Sequence, residues 1–161
     1  MAFIRKVEEQ DKQVYMELVD QFYHSEAVLH PVEKEHYEIT WKELMRSNDY
    51  LECFFIEKEG KTAGFLLLSY SFSQESGGKI AWIEEIYIQP EYQGQGLGKE
   101  FFRFIEENIE PKVTRIRLEI EPDNDGARRL YQSMGYKELP YEQMVKELFL
   151  KKVWKNGKTM L

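Results

Sequence analysis

Three glycines within five residues, Gly94-Gln95-Gly96-Leu97-Gly98, follow a strand-like run that stops at Pro90 and precede an amphipathic run. A glycine inside a helix costs roughly 1 kcal/mol relative to alanine, so this density at a helix start needs a compensating contact. The usual source is an anion that approaches the backbone closely, met by converging N–H groups and the positive end of the helix dipole. Two phosphate loops fit poorly. A nucleotide P-loop closes on Gly-Lys-Ser/Thr, whereas Gly98-Lys99 is followed by Glu100. A dinucleotide fingerprint sits early, in a βαβ unit, with an acidic residue ending the next strand. Glu119 and Glu121 lie at about that distance, but Gly94-x-Gly96-x-Gly98 lacks the spacing. A flexible turn with a helix cap is the plain alternative. An anion-binding nest is the favoured reading.

The residues around this turn predict a mixed α/β layout, with a mostly antiparallel central sheet flanked by helices. An opening strand is expected over 3–7, then a helix capped by Asp11 with Val14, Leu18, Val19 and Phe22 as its apolar positions. A second helix is expected from near Pro31 toward Met45, with Tyr37, Trp41, Leu44 and Met45 inward; residues 24–29 are ambiguous. Strands are expected over 51–56, 62–72 and 80–89, joined by turns at Glu59-Gly60-Lys61 and Ser76-Gly77-Gly78. Pro90 stops the third of them, because proline cannot donate to a ladder. The helix after the glycine turn should bury Leu97, Phe101, Phe104, Ile105 and Ile109 and end at Pro111. A strand over 113–120, a short helix over 124–133 and a strand pair within 136–153 complete one domain over 1–161, with a tail from about 154.

Composition narrows the function. Apolar residues at 42% and aromatics at 14% argue against disorder. The start of the sequence has no apolar run of signal-peptide length, and nothing approaches a membrane span. A cytoplasmic protein without a membrane partner is expected. Cys53 is alone and lies in an apolar strand, so it reads as buried and inert. His24, His30 and His36 have no metal-ligand spacing, and no metal is expected. The net charge of -7 disfavours nucleic acid and mildly favours cationic small molecules. The basic stretch Lys151-Lys152-Val153-Trp154-Lys155 reads as the solvated end of a strand.

Two segments together resemble the GNAT superfamily of N-acetyltransferases. The first, Gln93-Gly94-Gln95-Gly96-Leu97-Gly98, matches the family's Gln/Arg-x-x-Gly-x-Gly/Ala element. The second runs from Asn124 through Ala127 to Leu130-Tyr131-Gln132-Ser133-Met134-Gly135-Tyr136, in family order and at family spacing. The resemblance covers nearly the whole chain and implies the acyl-CoA N-acyltransferase fold, with acetyl-CoA as donor and a small cationic amine (polyamine, aminoglycoside or amino acid derivative) as acceptor. A protein or peptide N-acetyltransferase, or a CoA-binding module without catalysis, is the alternative. It implies that Gln93, Gly94, Gln95, Gly96, Leu97, Gly98 and Lys99 wrap the pyrophosphate. Backbone groups near Ile86, Tyr87 and Ile88 would hold the pantetheine arm, with Asn124 and Ala127 helping to place it; Asn124 could equally be just the N-cap of its helix. Tyr131 would meet the thioester sulfur as general acid, or else simply pack.

Direct amine acetylation needs a held donor, a neutral amine, a polarised carbonyl and a proton for the leaving thiolate. A base is sought in the fourth strand, where strict alternation puts Glu84 and Glu85 on opposite faces. A carboxylate among such apolar neighbours is costly unless it is paired or used. Glu85 is favoured slightly over Glu84, and a structural ion pair with Arg115 or Arg117 is the alternative. Tyr23, Glu26, Glu33, Tyr37 and Trp41 form a candidate aromatic and acidic wall for a small cationic amine, in a region that lines the acceptor site in the superfamily. An ordinary helix pair is the competing reading. A homodimer through the apolar residues of 141–153 is also expected.

Overall fold

The computed structural model describes residues 2–25, 32–146, 148, 153–155 and 158–160. It forms two units, Met1–Glu119 and Ile120–Leu161, each taken by itself below.

The first unit is built on strands β1 (Ala2–Lys6), β2 (Leu51–Lys58), β3 (Lys61–Ser73), β4 (Gly78–Ile88) and β5 (Val113–Leu118). They lie in the order β1-β2-β3-β4-β5. Neighbours are antiparallel except β4 and β5, which run parallel. The β2–β3 hairpin turns at Glu59 and Gly60, whose φ angles of 53° and 75° are both left-handed, as a tight two-residue turn requires. A parallel β4–β5 pair needs a crossover, and helix α3 (Leu97–Asn108) supplies it.

Helices α1 (Lys12–Tyr23) and α2 (Lys34–Arg46) cover one face of the sheet. There Tyr15, Leu18 and Val19 of α1 and Tyr37, Trp41 and Leu44 of α2 cluster with Cys53, Phe55, Phe65, Leu67 and Tyr87. Helix α3 takes the other face, where Phe104 meets Phe54 edge-on at 5.1 Å. Ala63 to Leu68 are all buried, because β3 is central and covered on both sides. Fully burying a side chain of Leu or Phe size contributes roughly 1.5–3 kcal/mol, so this strand anchors the unit. Gly64 is held to glycine by crowding: a Cβ there would lie 2.1 Å from the Tyr87 carbonyl oxygen.

Several details depart from the sequence expectations. Asp11 makes no side-chain cap for α1. A short 3-10 turn, Glu9–Asp11, precedes the helix, and the carboxylate is engaged elsewhere. It accepts two bonds from the Arg5 guanidinium, at 2.7 and 2.8 Å, and one from the Glu8 N–H at 2.8 Å. The guanidinium holds the Asp11 carboxyl below its ordinary value. Helix α3 buries Phe102 in addition to Leu97, Phe101 and Ile105, while Phe104 and Ile109 are half-buried. Pro31 and residues 26–30 lie outside the described residues.

The second unit holds α4 (Asp125–Ser133) and a hairpin of β6 (Val153–Lys155) with β7 (Lys158–Met160). The strand pair expected within 136–153 is therefore displaced, since residues 136–146 carry no strand. Pro140 lies within that stretch and cannot donate to a ladder. The observed pair flanks Asn156-Gly157, the dipeptide favoured between two hairpin strands.

Candidate active site

The ladder between β3 and β4 is interrupted where the two glutamates lie. Leu67 pairs with Glu85, but Leu68 pairs with Ile83, so Glu84 is an extra residue in β4. Such a bulge breaks the period-2 alternation of side chains. The expected placement of Glu84 and Glu85 on opposite faces is thereby overturned. Glu84 accepts a hydrogen bond from Ser69, and Glu85 accepts one from Tyr23 at the end of α1. Both carboxylates are thus carried on the face that α1 and α2 cover, with Glu84 exposed and Glu85 half-buried.

Glu85 is the more unusual of the two. Its Oε1 accepts from the Tyr23 hydroxyl at 2.5 Å. Its Oε2 is fully enclosed and has no hydrogen-bond partner among the described residues. An enclosed, unpartnered carboxylate oxygen is expensive when charged. Burial accordingly pushes the Glu85 carboxyl up from 4.5 to about 7; the Tyr23 hydrogen bond opposes the rise and Glu84 adds to it. The surroundings are aromatic. Tyr23 stacks on Tyr37 at 5.6 Å with 21° between ring planes, and Phe22 lies edge-on to Tyr23 and Tyr87 at 5.1 and 5.9 Å. Burial also raises the Tyr23 and Tyr37 hydroxyls, so both stay protonated donors near neutral pH. The arrangement provides a carboxyl poised near neutrality within an aromatic surround.

The ion-pair alternative for these glutamates does not hold among the described residues. Arg115 reaches Glu75 at 3.5 Å, and the Arg117 guanidinium lies over the Trp82 ring at 4.6 Å. Neither pairs with Glu84 or Glu85.

Beyond the glutamates β4 has an open edge. Its pairing with β5 ends at Ile83 and Leu118, and within the described residues no strand continues on that side of Ile86, Tyr87 and Ile88, whose other side pairs with β3. The Tyr87 side chain is nevertheless a core group, packed against Phe22 and Phe65. The glycine turn follows. Gly94 and Gly96 have φ of 71° and 81°, which only glycine adopts freely, and Gly96 is the cap residue of α3. Gln93 donates to the Ile88 carbonyl at 2.9 Å and Gln95 to the Glu91 carbonyl at 3.1 Å, pinning the loop to the strand end. Leu97 is buried and anchors the first turn, whereas Lys99 is exposed. The backbone N–H groups from Gly94 to Lys99 have no acceptor among the described residues. Gly98 is instructive because its φ is not left-handed and a Cβ there would meet nothing within 4 Å. The fold itself does not require glycine at that position, which suits close approach by an anionic ligand.

In the second unit Asn124 caps α4, its side chain accepting from the Ala127 N–H at 3.0 Å. Tyr131 is half-buried, 6.1 Å from the ring of Tyr136, and burial raises its hydroxyl above the ordinary value.

The remaining candidates add no chemistry. Cys53 is fully buried and its thiol is pushed well up by burial. His30 and Glu26 lie outside the described residues. Among the described residues no group of three or more His, Cys, Asp or Glu side chains suits a metal, and no helix is long and apolar enough to cross a membrane. The Tyr23–Glu85 bond was not foreseen, although Tyr23 stood in the candidate wall. A bulge next to paired glutamates was its missing signal.

Comparison with known proteins places this geometry. Residues 12–136 match the acetyltransferase (GNAT) family. A spermine/spermidine N(1)-acetyltransferase from Bacillus subtilis (strain 168) is 31% identical over 115 residues, spanning 62% of this chain and 76% of the relative. Among solved structures, a possible acetyltransferase from Clostridium difficile 630 superposes with a TM-score of 0.79 at 18% identity, covering 93% of this chain and 99% of that one. AAC(6')-Iy, in complex with a CoA-linked bisubstrate analogue, superposes with a TM-score of 0.76 at 14% identity, covering 92% and 99%. The five-stranded sheet with one parallel pair and the glycine turn at the start of α3 are thus those of an acetyltransferase, and the chain belongs to the GNAT family.

Proposed function

We propose that this enzyme transfers acetyl from acetyl-CoA directly to a primary amine of a small cationic molecule, such as a polyamine, an aminoglycoside or an amino acid derivative. The observation that carries the reading is Glu85, a carboxyl set near neutrality with one enclosed, unpartnered oxygen beside the Tyr23 and Tyr37 rings. An ammonium acceptor must lose a proton before it can attack. The Glu85 carboxylate takes that proton, directly or through water, while exposed Glu84 favours the cation. The 31% identity to a spermine/spermidine N(1)-acetyltransferase supports an amine of this class.

Acetyl-CoA supplies the activated acyl group. The N–H groups from Gly94 to Lys99, with Gln93 and Gln95 bracing the loop, bind the pyrophosphate at the positive end of α3. The free edge of β4 at Ile86, Tyr87 and Ile88 holds the pantetheine arm; for Asn124 and Ala127 the part in orienting it rests on the family resemblance alone. The new C–N bond forms as the C–S bond breaks; in the role the family resemblance gives it, Tyr131 donates its hydroxyl proton to the departing thiolate. Its raised proton affinity keeps that proton in place until then. The second proton, shed by the acylated nitrogen, returns through water to restore the Tyr131 hydroxyl. A cytoplasmic homodimer is part of the same reading; the exposed Met144, Val145 and Leu148 support the pairing surface.

The test is incubation with acetyl-CoA and a panel of spermidine, an aminoglycoside, a lysine derivative and a peptide, following thiol release and acceptor mass. One acetyl gained by a small amine is expected. Acetylation of the peptide alone, or of nothing, refutes the proposal.

A further inference from the structure

Tyr23 carries a role that the proton transfer itself does not name. It is the last residue of α1, and its hydroxyl reaches across to β4. Its ring is held by stacking on Tyr37 at 5.6 Å and by the edge of Phe22 at 5.1 Å, so the hydroxyl has little freedom to leave. The bond occupies Oε1 of Glu85, while Oε2 stays enclosed without a partner. A carboxyl with both oxygens free would rotate; here the bond to Oε1 and the enclosure of Oε2 hold it in one orientation.

We propose that Tyr23 is a positioning residue for acetyl transfer, its hydroxyl clamping Oε1 of Glu85 so that the carboxylate is held in one orientation as it takes the proton of the acceptor amine. The proposal rests on the reading of Glu85 as base. The clamp also sets the pH range in which the base works. A hydrogen bond donated to a carboxylate favours its ionised form, so the bond from Tyr23 counters the burial that keeps Glu85 protonated. Among the described residues, the other titratable groups that face Glu85 are Tyr15 on α1, Tyr37 on α2, Cys53 on β2 and Glu84 on β4. The tyrosines and the cysteine are all raised, hence neutral through the working range, and among these groups Glu84 is the acidic one.

The experiment is the pH dependence of kcat/KM for a small diamine, measured for the wild type, Tyr23→Phe, Tyr37→Phe and Glu85→Gln. Tyr23→Phe keeps the ring and loses the donor. Its acidic limb is expected to move upward by about half to one pH unit, so activity falls several-fold at pH 7 and recovers at pH 9. Tyr37→Phe keeps its ring and loses a hydroxyl that donates to the Val32 carbonyl at 3.3 Å, so it should leave the limb in place. Placing 3-fluorotyrosine at position 23, a stronger donor in an unchanged fold, should move the limb downward. A Tyr23→Phe profile scaled down equally at every pH, with its limb unmoved, overturns the clamp while leaving the base intact. A Glu85→Gln variant that keeps the wild-type limb removes the base, and the clamp with it.

Discussion

Glu85→Gln should make the protein inactive and, above neutral pH, more stable. The magnitude follows from the surroundings of Glu85. In the unfolded chain the carboxyl titrates near 4.5, whereas in the fold burial moves it up to about 7. A tenfold change in proton affinity is worth about 1.4 kcal/mol, so ionised Glu85 costs the native state on the order of 3 kcal/mol. Between those two values the folded protein binds the proton more tightly than the unfolded chain. Wild-type stability from this group is therefore complete below 4.5 and lost as pH rises through 7. Glutamine has no such dependence. Its amide oxygen can still accept from Tyr23, and its enclosed NH2 replaces the enclosed hydroxyl of the protonated acid, so the constant penalty is similar at every pH. The useful quantity is the change in the mutational effect with pH, from which that penalty cancels. Urea unfolding of both proteins across pH 5 to 9 should show the variant gaining roughly 2–3 kcal/mol relative to wild type over that range, most of it between pH 5 and 7.5. A mutational effect that is flat with pH would refute the reasoning, because Glu85 would then titrate alike in both states.

Three further outcomes follow from single positions. Gly98→Ala should weaken acetyl-CoA binding by about tenfold in calorimetric titration while leaving the melting temperature unchanged or slightly higher, since the added methyl meets nothing in the protein. Gly64→Ala should lower stability by roughly 3 kcal/mol or more in urea unfolding, because its Cβ collides with the Tyr87 carbonyl oxygen at 2.1 Å and the strands must part. Tyr131→Phe should reduce kcat by about 10²-fold with little change in the KM for the amine, as measured by steady-state thiol release, if its hydroxyl protonates the leaving thiolate.

Much of this architecture is legible locally. The turns at Glu59-Gly60 and Gly77, the cap at Asn124 and the stop at Pro90 each depend on the conformational range of one or two residues. The glycine turn was legible for the same reason, and its chemistry followed from the N–H groups that such a turn leaves unpaired. The acceptor side was not. Whether Glu84 and Glu85 share a face depends on the extra residue opposite Leu67 and Leu68, which is a property of cross-strand register and not of β4 alone. Asp11 failed as a cap because Arg5, six residues earlier on a strand, competes for its carboxylate in the folded unit. Helix α3 has the apolar spacing expected of it, yet Phe102 is buried more deeply than Phe104, so the buried stripe is wider than the spacing alone marks.

The central claim is that Glu85 accepts the proton of a small cationic amine that then takes acetyl from acetyl-CoA. It is tested most directly by the pH–rate profile of spermidine acetylation, with the product identified by mass, for wild type and Glu85→Gln side by side. The account predicts monoacetylated spermidine from the wild type, a kcat/KM that falls on the acid side with a midpoint near 7, and a loss of at least about 10²-fold in the variant. Equal rates for the two proteins, or a wild-type profile that stays flat down to pH 5, would contradict it.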